Sequence, residues 1–126
     1  MQRAQIEDLG FGISCLDAQY LREGLACFYL VERDGELAII ETGTVHSVPL
    51  LLEVLLEKGL SPEQVRYVIP THVHLDHAGG AGLMMDRFPS AQLLVHPRGG
   101  RHLVDPERLV SASKLVYGEE LFQQLY

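Results

Sequence analysis

Three histidines and one aspartate fall within six consecutive positions of this sequence, at His72, His74, Asp76 and His77. Neutral imidazole and carboxylate groups are the side chains with which proteins hold zinc, iron or manganese. A single histidine at any of these positions would be interpreted as an ordinary surface or core residue. The joint spacing instead predicts a metal site, in which ligands from one short segment converge on an ion.

The segments on either side of the cluster indicate how its side chains are positioned. Residues 65–69 are β-branched or aromatic apart from one arginine, which predicts a buried strand that ends at the following proline. Because successive side chains of an extended chain point to opposite faces, His72, His74 and Asp76 are expected on one face. His77 follows, where a glycine-rich run predicts a helix that continues to about the next proline.

The cluster resembles a known family signature. Residues 72–77 are similar to the H-x-H-x-D-H motif of the metallo-β-lactamase superfamily, and Thr71 and Gly79-Gly80 also fit it. The resemblance covers essentially the whole chain and implies an α/β fold that is half of an αββα sandwich, with a mixed sheet and helices on its outer face. Residues 1–126 are then expected to be the N-terminal part of one such domain, because the second half of the family has no counterpart here.

The resemblance also assigns roles to the four side chains of the cluster. In that family the first two histidines hold one metal and the Asp-His pair holds a second, so His72 and His74 would serve one site, and Asp76 and His77 the other. The implied cofactors are two divalent metal ions, zinc in the first place, with iron or manganese as alternatives. Asp76 is also the expected catalytic residue, which would orient the nucleophile or move a proton.

Two further residues are expected to support these ligands from behind. Glu41 opens the turn Glu41-Thr42-Gly43, which stands where the family has an Asp-Ser-Gly or Asp-Thr-Gly turn beneath the metal site. Thr71 directly precedes the first histidine. The additional methylene of Glu41 predicts that its contact with a ligand is re-aimed or lost. An ordinary strand-to-helix loop is the alternative interpretation of this turn.

The rest of the chain predicts strands that alternate with helices. An Asp-Gly pair within residues 33–36 indicates a tight hairpin, and leucines at helical spacing indicate a helix from about Val48 to Gly59. A C-terminal helix is expected from Asp105 to Tyr126, with a break near Gly118. The predicted strands cover residues 13–20, 25–32, 37–40 and 91–95, with a turn at residues 22–24 between the first two.

A second pair of histidines, His96 and His102, lies in a segment rich in glycine and arginine after the last predicted strand. The family pattern requires no metal ligands there. We interpret both histidines as loop residues or as lining of the substrate pocket, since loops beyond strand ends carry function.

Charge and composition exclude several functional classes. The net charge is −7, so a nucleic-acid-binding surface is not expected, and no apolar run is long enough to span a membrane. The first residues contain no apolar segment typical of a signal peptide, which predicts a cytoplasmic location. Cys15 and Cys27 are expected to be reduced, buried thiols. A small molecule is the expected partner.

The leading hypothesis is a metal-dependent hydrolase, in which metal-activated hydroxide attacks an ester, thioester, lactone or phosphodiester. The alternatives are a diiron or mononuclear-iron redox protein of the same fold, or a non-catalytic module if the chain ends at Tyr126. Because the family draws further ligands from a downstream half, the 126-residue chain alone is expected to be inactive. We also expect it to require that missing half or to self-associate, since one sheet face would lack its cover.

Overall fold

The computed structural model describes residues 5–20, 24–105 and 107–126 of the chain. Its strands form one six-stranded sheet, ordered from β1 to β6 as in the chain. Neighbours from β1 to β4 are antiparallel, whereas β4–β5 and β5–β6 are parallel. The strands are β1 Ile6–Gly10, β2 Ile13–Asp17, β3 Cys27–Arg33, β4 Glu36–Ile40, β5 Val65–Ile69 and β6 Gln92–Leu93.

Six α-helices accompany the sheet within the described residues, so the predicted α/β class with a mixed sheet is confirmed. A short 3₁₀ turn, Pro62–Gln64, leads into β5. No helix in the described ranges is long and apolar enough to cross a membrane. The helices are α1 Val48–Glu57, α2 Leu75–Ala78, α3 Ala81–Arg87, α4 Pro97–Val104, α5 Glu107–Tyr117 and α6 Glu119–Leu125.

The hairpin between β3 and β4 forms where the Asp-Gly pair predicts it. Arg33 and Glu36 are paired across the turn. Asp34 and Gly35 between them adopt φ angles of 52° and 79°. Two consecutive positive φ angles match the right-handed twist of the flanking strands, and Asp-Gly accepts them at low cost.

One face of the sheet carries the hydrophobic core. The strands β2 to β4 alternate between buried and half-buried side chains, as expected when a single face is packed. Helices α1 and α3 contribute to the same apolar cluster and thus cover this face. Its fully buried members of largest volume include Phe28, Phe88, Leu16, Leu30, Leu37, Ile39, Leu51, Leu55 and Met84.

The opposite face of the sheet is only partly covered. Ile13, Tyr29 and Val31 lie on this face and remain half-buried. Cys15 and Cys27 lie there too, as free thiols. Both thiols are half-buried and not fully buried as predicted. The alternation of β2 and β3 places them on the face away from the core.

Strand β2 is shorter than predicted because it ends at Asp17, and β3 begins two residues later than predicted, at Cys27. The two carboxylate oxygens of Asp17 accept hydrogen bonds from the backbone N–H groups of Gln19 and Gly24, at 2.8 and 2.7 Å. Such local bonds give the backbone an alternative to the sheet ladder. Of the turn predicted at residues 22–24, only Gly24 lies among the described residues.

The single helix predicted after the histidine cluster is two helices, α2 and α3, separated by Gly79 and Gly80. A Cβ atom at Gly80 would lie 2.7 Å from the Thr42 carbonyl oxygen and 2.8 Å from that of Thr44. Gly80 therefore lets the loop after β4 pack directly against the backbone at this junction. The break predicted near Gly118 is confirmed, since this residue adopts φ 78° between α5 and α6.

Candidate metal centre

The centre forms where two parallel strands end side by side. Glu41 follows β4 and residues 71–77 follow β5, so both segments leave the same edge of the sheet. The backbone N–H of Glu41 donates to the Ile69 carbonyl at 3.0 Å, which extends the ladder to the edge itself. Side chains that are 30 or more positions apart in sequence are thereby brought into contact.

Glu41 is buried, at 5% exposure, and its carboxylate contacts both sides of the centre. Oε1 accepts a hydrogen bond of 2.5 Å from the backbone N–H of Thr71. Oε2 contacts Nδ1 of His77, a buried ring nitrogen. A carboxylate on Nδ1 fixes the orientation of the ring and directs Nε2 outward, which is how proteins commonly support a metal-binding histidine.

His72 is held in a similar way by its neighbour in the chain. The Thr71 hydroxyl lies 2.9 Å from Nδ1 of His72, while the ring itself is exposed. The rings of His72 and His77 are 4.2 Å apart between centroids. One potential donor atom from each of Glu41, His72 and His77 lies within 4.8 Å of the other two, a spacing that a single ion could bridge.

Asp76 and His74 complete the group of adjacent side chains. Oδ2 of Asp76 lies 3.2 Å from Nε2 of His77, and the ring of His74 lies 5.1 Å from that of His72. The expectation that His72, His74 and Asp76 share an extended face was wrong at its last member, because α2 begins at Leu75. Asp76 and His77 therefore project from the first helical turn.

The donor set fits a divalent cation. Glu41, His72 and His77 can each direct one donor atom to a common point, and the carboxylates of Glu41 and Asp76 flank opposite nitrogens of His77. Two negative groups beside one ring concentrate negative charge, which a cation at this position would offset. Nitrogen and oxygen donors of this kind suit zinc, iron and manganese alike.

Comparison with known families agrees with this geometry. A family model described as the metallo-beta-lactamase superfamily matches residues 23–121. The chain belongs to the metallo-β-lactamase superfamily. Among curated proteins, metallo-beta-lactamase domain-containing protein 1 of Mus musculus is 38% identical over 88 residues, which are 66% of this chain and 31% of that protein. The N-acyl homoserine lactonase AttM of Azorhizobium caulinodans is 39% identical over 49 residues, covering 39% and 17% of the two chains.

Solved structures show the same fold. The subclass B3 metallo-β-lactamase MEM-A1, from a soil metagenome library, aligns with a TM-score of 0.69 at 20% identity, over 81% of this chain and 36% of that one. SMB-1 in complex with mercaptoacetic acid aligns with a TM-score of 0.69 at 19% identity, over 81% and 37%. The chain thus spans about a third of the length of these structures and of the mouse relative.

The second pair of histidines in this superfamily member lies at a helix that was not expected from the sequence. Residues 97–104 form α4, and His96 caps it, since Nδ1 of His96 accepts a 3.2 Å hydrogen bond from the backbone N–H of Arg98. The interpretation as loop residues was therefore wrong for His102, which lies within α4, whereas His96 precedes the first helical residue. The residue that could have predicted this helix is Pro97, whose fixed φ angle suits the first turn of a helix. The cavity that His102 lines is walled otherwise by Arg101, Asp105, Glu107 and Arg108.

A cluster of three tyrosines beside the centre was also missed. The hydroxyl of Tyr20 lies 3.0 Å from that of Tyr117 and 2.6 Å from that of Tyr126. Burial is the main cause that raises the pKa of Tyr20 to about 12, and the hydrogen bond with Tyr117 adds to it. Burial raises the pKa of Tyr126 as well, so both phenols are protonated at neutral pH.

Proposed function

We propose that this chain carries part of the active centre of a metal-dependent hydrolase that acts on an ester, thioester, lactone or phosphodiester. The contact between Glu41 and Nδ1 of His77 is the observation that carries the proposal. It provides a histidine within the H-x-H-x-D-H motif with the carboxylate support that metal ligands require. A relative bearing the name of a lactonase, AttM, is consistent with this reaction class.

The proposal gives each side chain a distinct task. His72, His74, Asp76 and His77 would hold divalent ions, and zinc is the first expectation. When bound, such ions lower the pKa of water from about 15.7 to near 7 and polarise the bond under attack. Glu41 and Thr71 would orient two of the rings through contacts at their Nδ1 atoms.

Asp76 is the residue best placed to handle a proton. Its side chain is 30% exposed, and it lines a cavity together with His74 and Tyr117. A carboxylate that is supported on one side and open to a cavity on the other can orient a water molecule and accept its proton. The substrate would enter from this cavity.

Substitution of Asp76 in the full-length protein tests the proposal. Asp76→Ala should lower bound metal and reduce ester or lactone turnover by at least about 100-fold, since it removes both a ligand and a proton acceptor. Asp86→Ala is the matched control, because Asp86 is an exposed residue of α3 that pairs only with Arg87 among its described contacts. Unchanged turnover with full metal content in Asp76→Ala would contradict the assignment.

An iron redox protein of the same fold is the second candidate, because the histidine and carboxylate donor set accepts iron as readily as zinc. Elemental analysis of protein purified without added metal, together with its electronic spectrum, separates the two. Stoichiometric iron with a visible absorption band would favour redox chemistry over hydrolysis.

A further inference from the structure

Two cavities meet beside the candidate metal centre. The first, of about 380 Å³, is lined among others by His74, Asp76, Tyr117 and Tyr126. The second, of about 360 Å³, extends away from the centre between α3 and the C-terminal helices. Their shared walls are the side chains of Leu75, Leu109 and Tyr126.

The second cavity is apolar. Its lining includes Met85, Leu93, Leu103 and Val110, together with alanines and glycines of α2 and α3. Cavities of about 300 Å³ and above with such linings accommodate small organic ligands, and apolar surface favours an alkyl chain over a polar group. A ligand whose reacting end is at the centre could therefore place an alkyl chain here.

One hydroxyl proton of the tyrosine cluster has no acceptor among the described residues, so it can be donated to a ligand in the first cavity. Each phenol carries a single O–H, and Tyr20 donates its proton to the hydroxyl oxygen of Tyr117. The short contact between Tyr126 and Tyr20 then requires Tyr126 as the donor. Among the described residues, none accepts the proton of Tyr117. A carbonyl oxygen in the first cavity would be a suitable acceptor.

Charge selects between neutral and anionic ligands. Asp76 lines the first cavity, and the chain carries a net charge of −7. In the metal-free protein, a carboxylate ligand would be repelled by both, whereas a neutral ester, lactone or amide would not. The polar end of the joined cavities in the metal-free protein therefore suits an uncharged acyl group.

We propose that the joined cavities bind a neutral acyl compound, whose carbonyl oxygen accepts the Tyr117 proton and whose alkyl chain occupies the cavity lined by Met85 and Val110. The inference rests on the proposed function, because it names the substrate class of that hydrolase. Each methylene placed in the apolar cavity should tighten binding by up to about fourfold, until the cavity is filled.

Binding of two simple amides to the metal-free protein tests chain-length selection. Hexanamide and acetamide share a carbonyl group and differ in alkyl length. Hexanamide should bind at least about 10-fold more tightly and shift the NMR signals of Met85, Leu109 and Tyr126, which line the cavities. Equal affinities, or shifts confined to other residues, would overturn the proposal.

Two variants examine the hydrogen bond at the polar end. Tyr117→Phe retains the ring but lacks the donor, so it should weaken hexanamide binding by about twofold to tenfold. Tyr67→Phe is the control, because Tyr67 lies on β5, outside both cavities. If Tyr117→Phe binds hexanamide as tightly as the Tyr67→Phe control, the carbonyl assignment is wrong.

Two variants at one glycine examine the apolar cavity. Gly82 lines this cavity, and a Cβ atom added there meets nothing within 4 Å, so a side chain can begin at this position without a backbone clash. Gly82→Leu should occupy the space and weaken hexanamide binding by at least about 10-fold. Gly82→Ala makes the same backbone change and should alter binding by less than about threefold. Equal binding by the two variants would exclude this cavity.

The metal-free measurement separates failure of the inference from failure of the proposed function. Chain-length-dependent binding in a protein that hydrolyses no ester would leave the acyl site standing and remove the hydrolase. Ester hydrolysis that is indifferent to acyl length and to Tyr117→Phe would leave the hydrolase standing and remove the acyl site.

Discussion

Glu41 combines an unfavourable backbone with a contact at the centre. It adopts φ 71°, a left-handed conformation that costs a non-glycine residue of order 1–3 kcal/mol. This conformation accompanies the placement of its carboxylate between Thr71 and His77. Such strain persists where the surrounding structure determines it, which is typical of functional sites.

The charge of Glu41 should matter more than its shape. Glu41→Gln retains the side-chain volume but loses the carboxylate that faces Nδ1 of His77, so metal affinity should fall by about 10- to 100-fold. Competition with a chromogenic chelator measures this change. Glu36→Gln is the control, because Glu36 is an exposed residue paired with Arg66. Equal affinity in the two variants would show that Glu41 does not support the metal.

Sequence identified the residues of the motif but not all of their partners. The histidines and Asp76 are neighbours in the chain, so their spacing alone indicates shared chemistry. Glu41 was expected as a supporting residue from the family resemblance, but no local pattern requires the positive φ angle that accompanies its contact with His77. The tyrosine hydroxyls meet across 97 and 106 sequence positions, a separation over which composition and periodicity carry no information.

Gly80, between α2 and α3, determines how closely the loop after β4 approaches the helix that carries Asp76 and His77. The backbone N–H of Gly80 donates to the Gly43 carbonyl at 3.0 Å, and the Thr42 N–H donates to the His77 carbonyl at 2.8 Å. These bonds fasten the segment after Glu41 to the helical turn that carries Asp76 and His77. The junction is therefore a structural requirement of the centre.

Gly80→Ala should destabilise the protein by about 1–3 kcal/mol, because its Cβ would meet two backbone carbonyl oxygens that cannot move independently. Gly82→Ala provides the control, since it adds the same methyl group to open space in α3 and should stabilise by about 0.5–1 kcal/mol. Urea unfolding of the metal-free protein measures both. Equal unfolding free energies would refute the close-packing account of this junction.

Elements with strong local signals were predicted well, and short ones were not. The Asp-Gly turn, β5, α1 and the break at Gly118 are specified by residues within a few positions. In contrast, β6 contains only Gln92–Leu93, although residues 91–95 favour a longer strand. Helix α4 follows β6, because capping by His96 and the adjacent proline outweigh the glycines that favour a loop.

At the scale of the molecule, the tyrosine cluster connects the N-terminal half of the chain to its C-terminal helices. Tyr20 has a pKa raised to about 12 from an ordinary value near 10, so its protonated form is favoured in the folded state. This difference in pKa contributes stability to the folded state that is fully present below about pH 10 and is lost as pH rises towards 12. Tyr20→Phe should flatten the fall in unfolding free energy over this range. A fall as steep as that of the parent protein would show that Tyr20 is not its source.

The half-covered sheet face should govern association of the 126-residue chain. We expect either self-association through this face or binding of further chain that covers it, since soluble proteins rarely leave large contiguous apolar patches exposed. Val31→Lys places a charge on this face and should shift sedimentation towards the monomer. Leu56→Lys, at a helix position that is 81% exposed, should leave association unchanged. The same distribution of species in both variants would exclude the sheet face.

The order of strands in the sheet has a kinetic consequence. Strands β1 to β4 are consecutive antiparallel neighbours, so their pairing closes short loops, whereas β5 joins β4 in parallel only after α1 has crossed over. Local pairing closes faster than crossover pairing, and a chain made from its N-terminus presents the meander first. Glu41 is therefore positioned before His77 reaches it, and the candidate metal centre is among the last parts of this sheet to assemble. Ion capture should accordingly slow unfolding more than it accelerates folding.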